Sequence, residues 1–131
     1  MEARLIVDAP AAGAWNMAVD EVLLGSASER SALTLRFYQW AQPVVTLGYF
    51  QAYADGERHE PSRDCLRIRR STGGGAIVHD RELTYSLSVP TRDRWASPPH
   101  EWYDLLHRSL VDVLADLGIV AMQHAADLEE T

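Results

Sequence analysis

Lysine is absent from all 131 residues, and the twelve basic side chains are arginines. A Walker loop needs a lysine after its last glycine, and a Schiff base needs a lysine amine, so neither can be built from this chain alone. Cys65 is the single cysteine, which excludes an intrachain disulfide and a zinc site made of several cysteines. No apolar run approaches the ~20 residues that span a bilayer. The opening Met1-Glu2-Ala3-Arg4-Leu5 lacks the basic region and apolar core of a secretion signal. The expectation is a cytoplasmic protein with no membrane partner.

A surplus of positive charge is also missing. The net charge of −7 argues against broad nucleic-acid binding, which requires clustered cationic side chains. Arginines nonetheless concentrate between Arg58 and Arg94, as a local anion site on an acidic protein would require. Hydrophobic content of 47% and charged content of 24% are ordinary globular values, and residues 1–131 fit one domain with a real core.

What the chain does contain is Arg69-Arg70-Ser71-Thr72-Gly73-Gly74-Gly75-Ala76-Ile77-Val78-His79-Asp80. Three successive glycines can take positive φ without a Cβ clash, so their amides can turn toward one bound phosphate or carboxylate. Side chains alternate along a strand, so only one of Arg69 and Arg70 is expected to face this loop. An arginine there favours bidentate recognition of a planar acid. A tight hairpin is the plainer explanation, but three glycines exceed what a two-residue turn needs.

Around this stretch the periodicities predict elements. Arg4–Asp8 reads as a strand. From Ala14 to about Ser28, apolar Trp15, Ala18, Val19, Val22 and Leu23 recur at helical spacing and predict one buried face. Asn16 and Asp20 share another face, expected to be solvated. Leu33, Leu35 and Phe37 alternate with Thr34, Arg36 and Tyr38 in a strand with one core face, and Val44–Leu47 is a strand ended by Gly48. Residues 49–64 read as a loop with one helical turn. Leu83, Tyr85, Leu87 and Val89 alternate with Thr84, Ser86 and Ser88 in the clearest strand. Ser97 is placed to cap a helix that begins at Pro98 and Pro99, and Gly118 to close it. Ile119–Met122 could begin a further strand. The sum is an α+β protein with a mixed, mostly antiparallel sheet covered by helices.

Candidate chemistry centres on the glycine loop. His79 could donate a hydrogen bond to a ligand acid, whereas a relay between His79 and Asp80 is unfavourable because neighbouring strand side chains diverge. Cys65 is more economically a small buried hydrophobe than a nucleophile. His100, Asp104 and His107 share a helical face, but two histidines seven apart lie about 10 Å from one another along the helix rise, too far for one ion. Trp15, Phe37, Tyr49 and Tyr85 could help line an apolar slot.

Read together with Asn16-Met17-Ala18-Val19-Asp20-Glu21, Leu35–Trp40 and Val45-Thr46-Leu47-Gly48-Tyr49-Phe50-Gln51, the glycine stretch resembles the catalytic domain of the lipoate-protein ligase A and octanoyltransferase family, relatives of biotin-protein ligases. The likeness runs from about Leu5 to about Gly118. The resemblance implies the biotin/lipoate-ligase fold and a ligand site formed by Arg70, Ser71, Thr72, Gly73, Gly74, Gly75, Ala76 and His79, with Asn16 on the helix beside the acyl pocket. It implies an enzyme that activates lipoate or octanoate with ATP and Mg²⁺ as an acyl-adenylate. The acyl group would then pass to a lysine of a lipoyl carrier domain, the glycine-cleavage H protein or the E2 of a 2-oxoacid dehydrogenase. An octanoyltransferase drawing on acyl carrier protein through a cysteine thioester outside this chain is the alternative, and Asp80–Ser86 looks closer to that branch. A non-catalytic binding domain for lipoate or a nucleotide is a third reading. Family members carry an essential lysine in a later Lys-x-x-Gly segment, so the expectation is a domain completed by further residues or a second chain, and weak or no activity from these residues alone.

Overall fold

A computed structural model describes residues 2–91 and 97–123. The chain divides into two units, Met1–Arg92 and Asp93–Thr131. In the first, β1 (Glu2–Val7), β2 (Ala32–Tyr38) and β6 (Thr84–Ser88) form one sheet in the order β1-β2-β6. The strands β3 (Val44–Leu47), β4 (Leu66–Arg69) and β5 (Ile77–His79) form another in the order β4-β3-β5. Each sheet has one parallel and one antiparallel pairing. A parallel pair needs a long crossover, and between β1 and β2 this is the helix α1 (Gly13–Arg30). The architecture is therefore α+β with mixed sheets, as expected, although parallel and antiparallel pairings are equal in number.

The face that α1 buries is not the one its apolar periodicity suggests. Trp15 and Val22 are exposed, while Gly13, Asn16, Leu23 and Ala27 are buried. The expectation of a solvated Asn16 fails because of what lies opposite on β2. There the buried residues are Ala32, Thr34, Arg36 and Tyr38, and the alternating Leu33, Leu35 and Phe37 are only partly covered. The core face of β2 is thus its polar face.

Arg36 explains the inversion, because it is 0% exposed and its charge must be answered inside the protein. Its Nε donates to Asp8 at 2.7 Å, one terminal nitrogen to Asp20 at 2.8 Å and to the Asn16 carbonyl at 3.1 Å, and the other to Asn16 Oδ1 at 2.9 Å. Asn16 gives its own amide hydrogens to the carbonyls of Ala11 and Gln39. Asp20 also accepts from the hydroxyls of Tyr38 and Ser86. The guanidinium on β2 therefore holds the residue after β1 and the helix α1, and through Asp20 the network extends to Ser86 on β6. On the other face of this sheet, Leu5 and Val7 are 66% and 74% exposed.

The strands match their sequence signals to within a residue or two, and residues 49–64 contain two short 3-10 turns, Tyr53–Glu57 and Glu60–Ser62. In the second unit α2 (Pro99–Asp116) starts from Pro98, not Ser97, and no side chain caps it. Gly118 follows in the left-handed conformation, φ 77°. Ile119–Met122 is irregular, not a strand. Among the described residues no helix is long and apolar enough to cross a membrane.

Candidate functional site

The order β4-β3-β5 decides what the glycine stretch is. Because β3 lies between the two strands that the stretch connects, residues 70–76 arch over the end of β3 and do not form a hairpin. Gly48 closes β3 directly beneath the arch. A Cβ at Gly48 would stand 1.9 Å from the Gly74 carbonyl oxygen, so only glycine fits. Gly74 itself has φ 93°. The arch is anchored where the Arg70 amide donates to Leu47 O at 2.8 Å and the Tyr49 amide to Thr72 O at 2.9 Å.

Within these anchors the glycines are open. Residues 71–78 are all exposed, and a Cβ added at Gly73 or Gly75 would meet no other atom within 4 Å. Among the described residues, no carbonyl accepts a hydrogen bond from the amides of Gly73, Gly74 or Gly75. Successive backbone amides left available on a bend can take up an anion or a polarised carbonyl oxygen.

The two arginines diverge, and each is occupied by backbone. One terminal nitrogen of Arg69 donates to the carbonyls of Gly48, Tyr49 and Gln51, holding the turn after β3. Arg70 reaches the arch instead. Its Nη2 donates to Gly73 O and Gly75 O, both at 2.9 Å, while Nη1 donates to Thr46 O at 3.1 Å and Thr46 Oγ1 at 2.8 Å. The guanidinium grips the carbonyls on either side of Gly74 and so braces the curvature of the loop.

His79 stands under this assembly, 6% exposed. Its Nε2 lies 2.8 Å from Thr46 Oγ1, its Nδ1 is hydrogen-bonded to the Glu82 carboxylate, and its ring stacks on Trp40 at 4.1 Å. Thr84 donates to the same Glu82 oxygen and accepts from Trp40 Nε1. Both ring nitrogens are thus committed within the protein. Thr46, which the sequence marks only as part of the Val45–Gln51 stretch, connects His79 to Arg70.

The structure brings Arg70, Ser71, Thr72, Gly73, Gly74, Gly75 and Ala76 together in the arch with His79 beneath, while Asn16 belongs to the Arg36 network and shares no hydrogen bond with the arch. Of the four slot candidates, Phe37 and Tyr85 meet edge-on across β2 and β6 at 6.3 Å, whereas Trp15 and Tyr49 are exposed, Tyr49 lying against Phe50. Cys65 is half-buried. Among the described residues no group of three His, Cys, Asp or Glu side chains converges to hold a metal, so no side chain here is assigned to Mg²⁺.

The family model described as "Lipoyl protein ligase A/B catalytic domain" matches residues 12–128. The octanoyltransferase LipM of Oceanobacillus iheyensis is 38% identical over 115 residues, which is 84% of this chain and 42% of the relative. That of Brevibacillus brevis is 36% identical over 131 residues, 97% of this chain and 48% of the relative. Among solved structures, a lipoate-protein ligase A bound with ATP superposes with a TM-score of 0.77 at 27% identity, covering 97% of this chain and 51% of that one. A bi-partite lipoate protein ligase of Thermoplasma acidophilum, described with its E2 lipoyl domain, gives a TM-score of 0.69 at 26% identity, covering 95% and 49%. The chain spans less than half the length of these two curated relatives.

Proposed function

Because the chain belongs to the lipoyl protein ligase A/B catalytic domain family, we propose that it forms the acyl-binding part of an octanoyl-transfer enzyme. The observation that carries this is the arch over Gly48, whose Gly73, Gly74 and Gly75 amides donate to no carbonyl among the described residues while Arg70 holds the Gly73 and Gly75 carbonyls. Preorganised amides of this kind stabilise negative charge that develops on an acyl oxygen. In the reaction, the thioester C–S bond of octanoyl-acyl carrier protein, or of a cysteine outside this chain, would break. A C–N bond to a lysine amine on a lipoyl carrier domain would form, and the amine proton would leave with the thiol. Ser71, Thr72 and Ala76 border the amides, with Arg70 and His79 bracing them.

The sequence relatives, named octanoyltransferases, support this reading over the ATP-dependent ligase that the resemblance put first. The ligase reading keeps one specific support, the likeness to a ligase solved with ATP. The two differ in the acyl donor. The full gene product should be incubated either with octanoyl-acyl carrier protein, or with octanoate, ATP and Mg²⁺, and a lipoyl carrier domain weighed by mass spectrometry. Modification of the carrier from the first donor without ATP is expected. Modification only in the ATP arm would replace this reading by the ligase.

A further inference from the structure

We infer that Thr46 and Glu82 are positioning residues for the glycine arch, acting through Arg70 and His79 and never touching the acyl substrate. The inference deepens the function proposed above, since the arch is its acyl site. Thr46 is 0% exposed at the centre of the β4-β3-β5 sheet, and its hydroxyl is shared by Arg70 and His79. An ionised carboxylate can only accept, so His79 carries a proton on Nδ1 toward Glu82. In the neutral imidazole Nε2 is then the acceptor, and Thr46 Oγ1, which accepts from Arg70, gives its proton to it. One proton order therefore runs from the arch carbonyls to Glu82, and every step of it fixes the next.

Glu82 is the end of this chain that reaches water, its side chain 39% exposed. It borders a small polar depression with Asp80, Arg81, Gln39 and Gln42, so the chain runs from a solvent-accessible carboxylate to the underside of the arch. Removing the Thr46 hydroxyl leaves His79 Nε2 buried without its donor and strips one of the anchors of Arg70 Nη1. The guanidinium that braces the loop's curvature can then rotate, and the arch loses that brace.

The test compares Thr46→Val, which keeps the β-branched shape, with Thr46→Ser, which keeps the hydroxyl, and Glu82→Ala with Glu82→Gln, which keeps an acceptor. In the ligand-free protein, the Gly73, Gly74 and Gly75 amide resonances should move in Thr46→Val and Glu82→Ala and stay near wild type in the two conservative variants. Two-bond ¹⁵N correlations should place the His79 proton on Nδ1. Binding of octanoyl-pantetheine should weaken roughly tenfold in Thr46→Val, the scale of one lost buried hydrogen bond, and recover in Thr46→Ser. Glycine resonances unmoved in Thr46→Val, or a proton on Nε2, would overturn the inference. Should Thr46→Val not fold, Glu82→Ala decides by the same resonances. A wild-type protein that ignores octanoyl-pantetheine would count against the proposed function, while the ligand-free spectra would still decide the role of Thr46 and Glu82.

Discussion

The guanidinium of Arg36 lies over the ring of Tyr38, its Cζ 4.1 Å from the centroid, and both side chains end on the carboxylate of Asp20. A buried cation, an aromatic face and a shared acid thereby form one unit, in which no member can change without exposing another's charge.

Arg36→Met removes the cation and keeps most of the volume. Asp8 and Asp20 are then left facing one another's network uncompensated, and a loss of about 3 kcal/mol is expected, the low end for breaking a buried pair because both acids retain some access to water. Urea unfolding measures it. Adding Asp20→Asn should restore part of the loss, and a double variant less stable than Arg36→Met would contradict the charge argument.

Tyr38 makes alkaline stability a direct readout of the same unit. Burial first, and then the adjacent Asp20 carboxylate, raise its phenol above the ordinary value of 10.0. The folded protein keeps this proton where the unfolded chain releases it. The Tyr38 contribution is therefore complete below about pH 10 and declines as pH rises beyond that point. Tyr38→Phe should flatten the alkaline decline in melting temperature; an unchanged slope would remove Tyr38 from the account.

Gly48→Ala should displace the arch, because its methyl would meet the Gly74 carbonyl and backbone cannot step aside as a flexible side chain can. A cost of about 1–3 kcal/mol, usual for overpacking, should accompany the loss of octanoyl-pantetheine binding. Wild-type binding by this variant would show that the arch tolerates a different path.

Gly25→Ala should act in the opposite direction. Gly25 is an exposed position inside α1 with no atom within 4 Å of an added Cβ. Alanine there should stabilise the protein by about 0.5–1 kcal/mol, visible as a raised urea midpoint with binding unchanged.

Much of this was legible in the sequence, and the limits have physical causes. Strand and helix positions followed from alternation and from proline and glycine punctuation, and Gly73–Gly75 stood out because few folds need three glycines without a reason. The buried faces of α1 and β2 were misread because hydrophobic periodicity assumes that polar residues seek water. Arg36 breaks that assumption with partners 16 and 28 positions away along the chain, which no local window contains. Thr46 fell within a motif but its bridging role was hidden for the same reason, since that role arises only where His79 lies 33 residues further on. The strand order was equally hidden: a glycine turn between two strands suggests a hairpin until a third strand is found between them.

That interposed strand has a consequence for how the binding surface comes into being. A peptide covering only the stretch from β4 to β5 would have nothing to vault over, because the keystone is supplied by residues twenty positions upstream. The arch can therefore take shape only where the central strand is paired on both sides, and freeing that strand is expected to undo it.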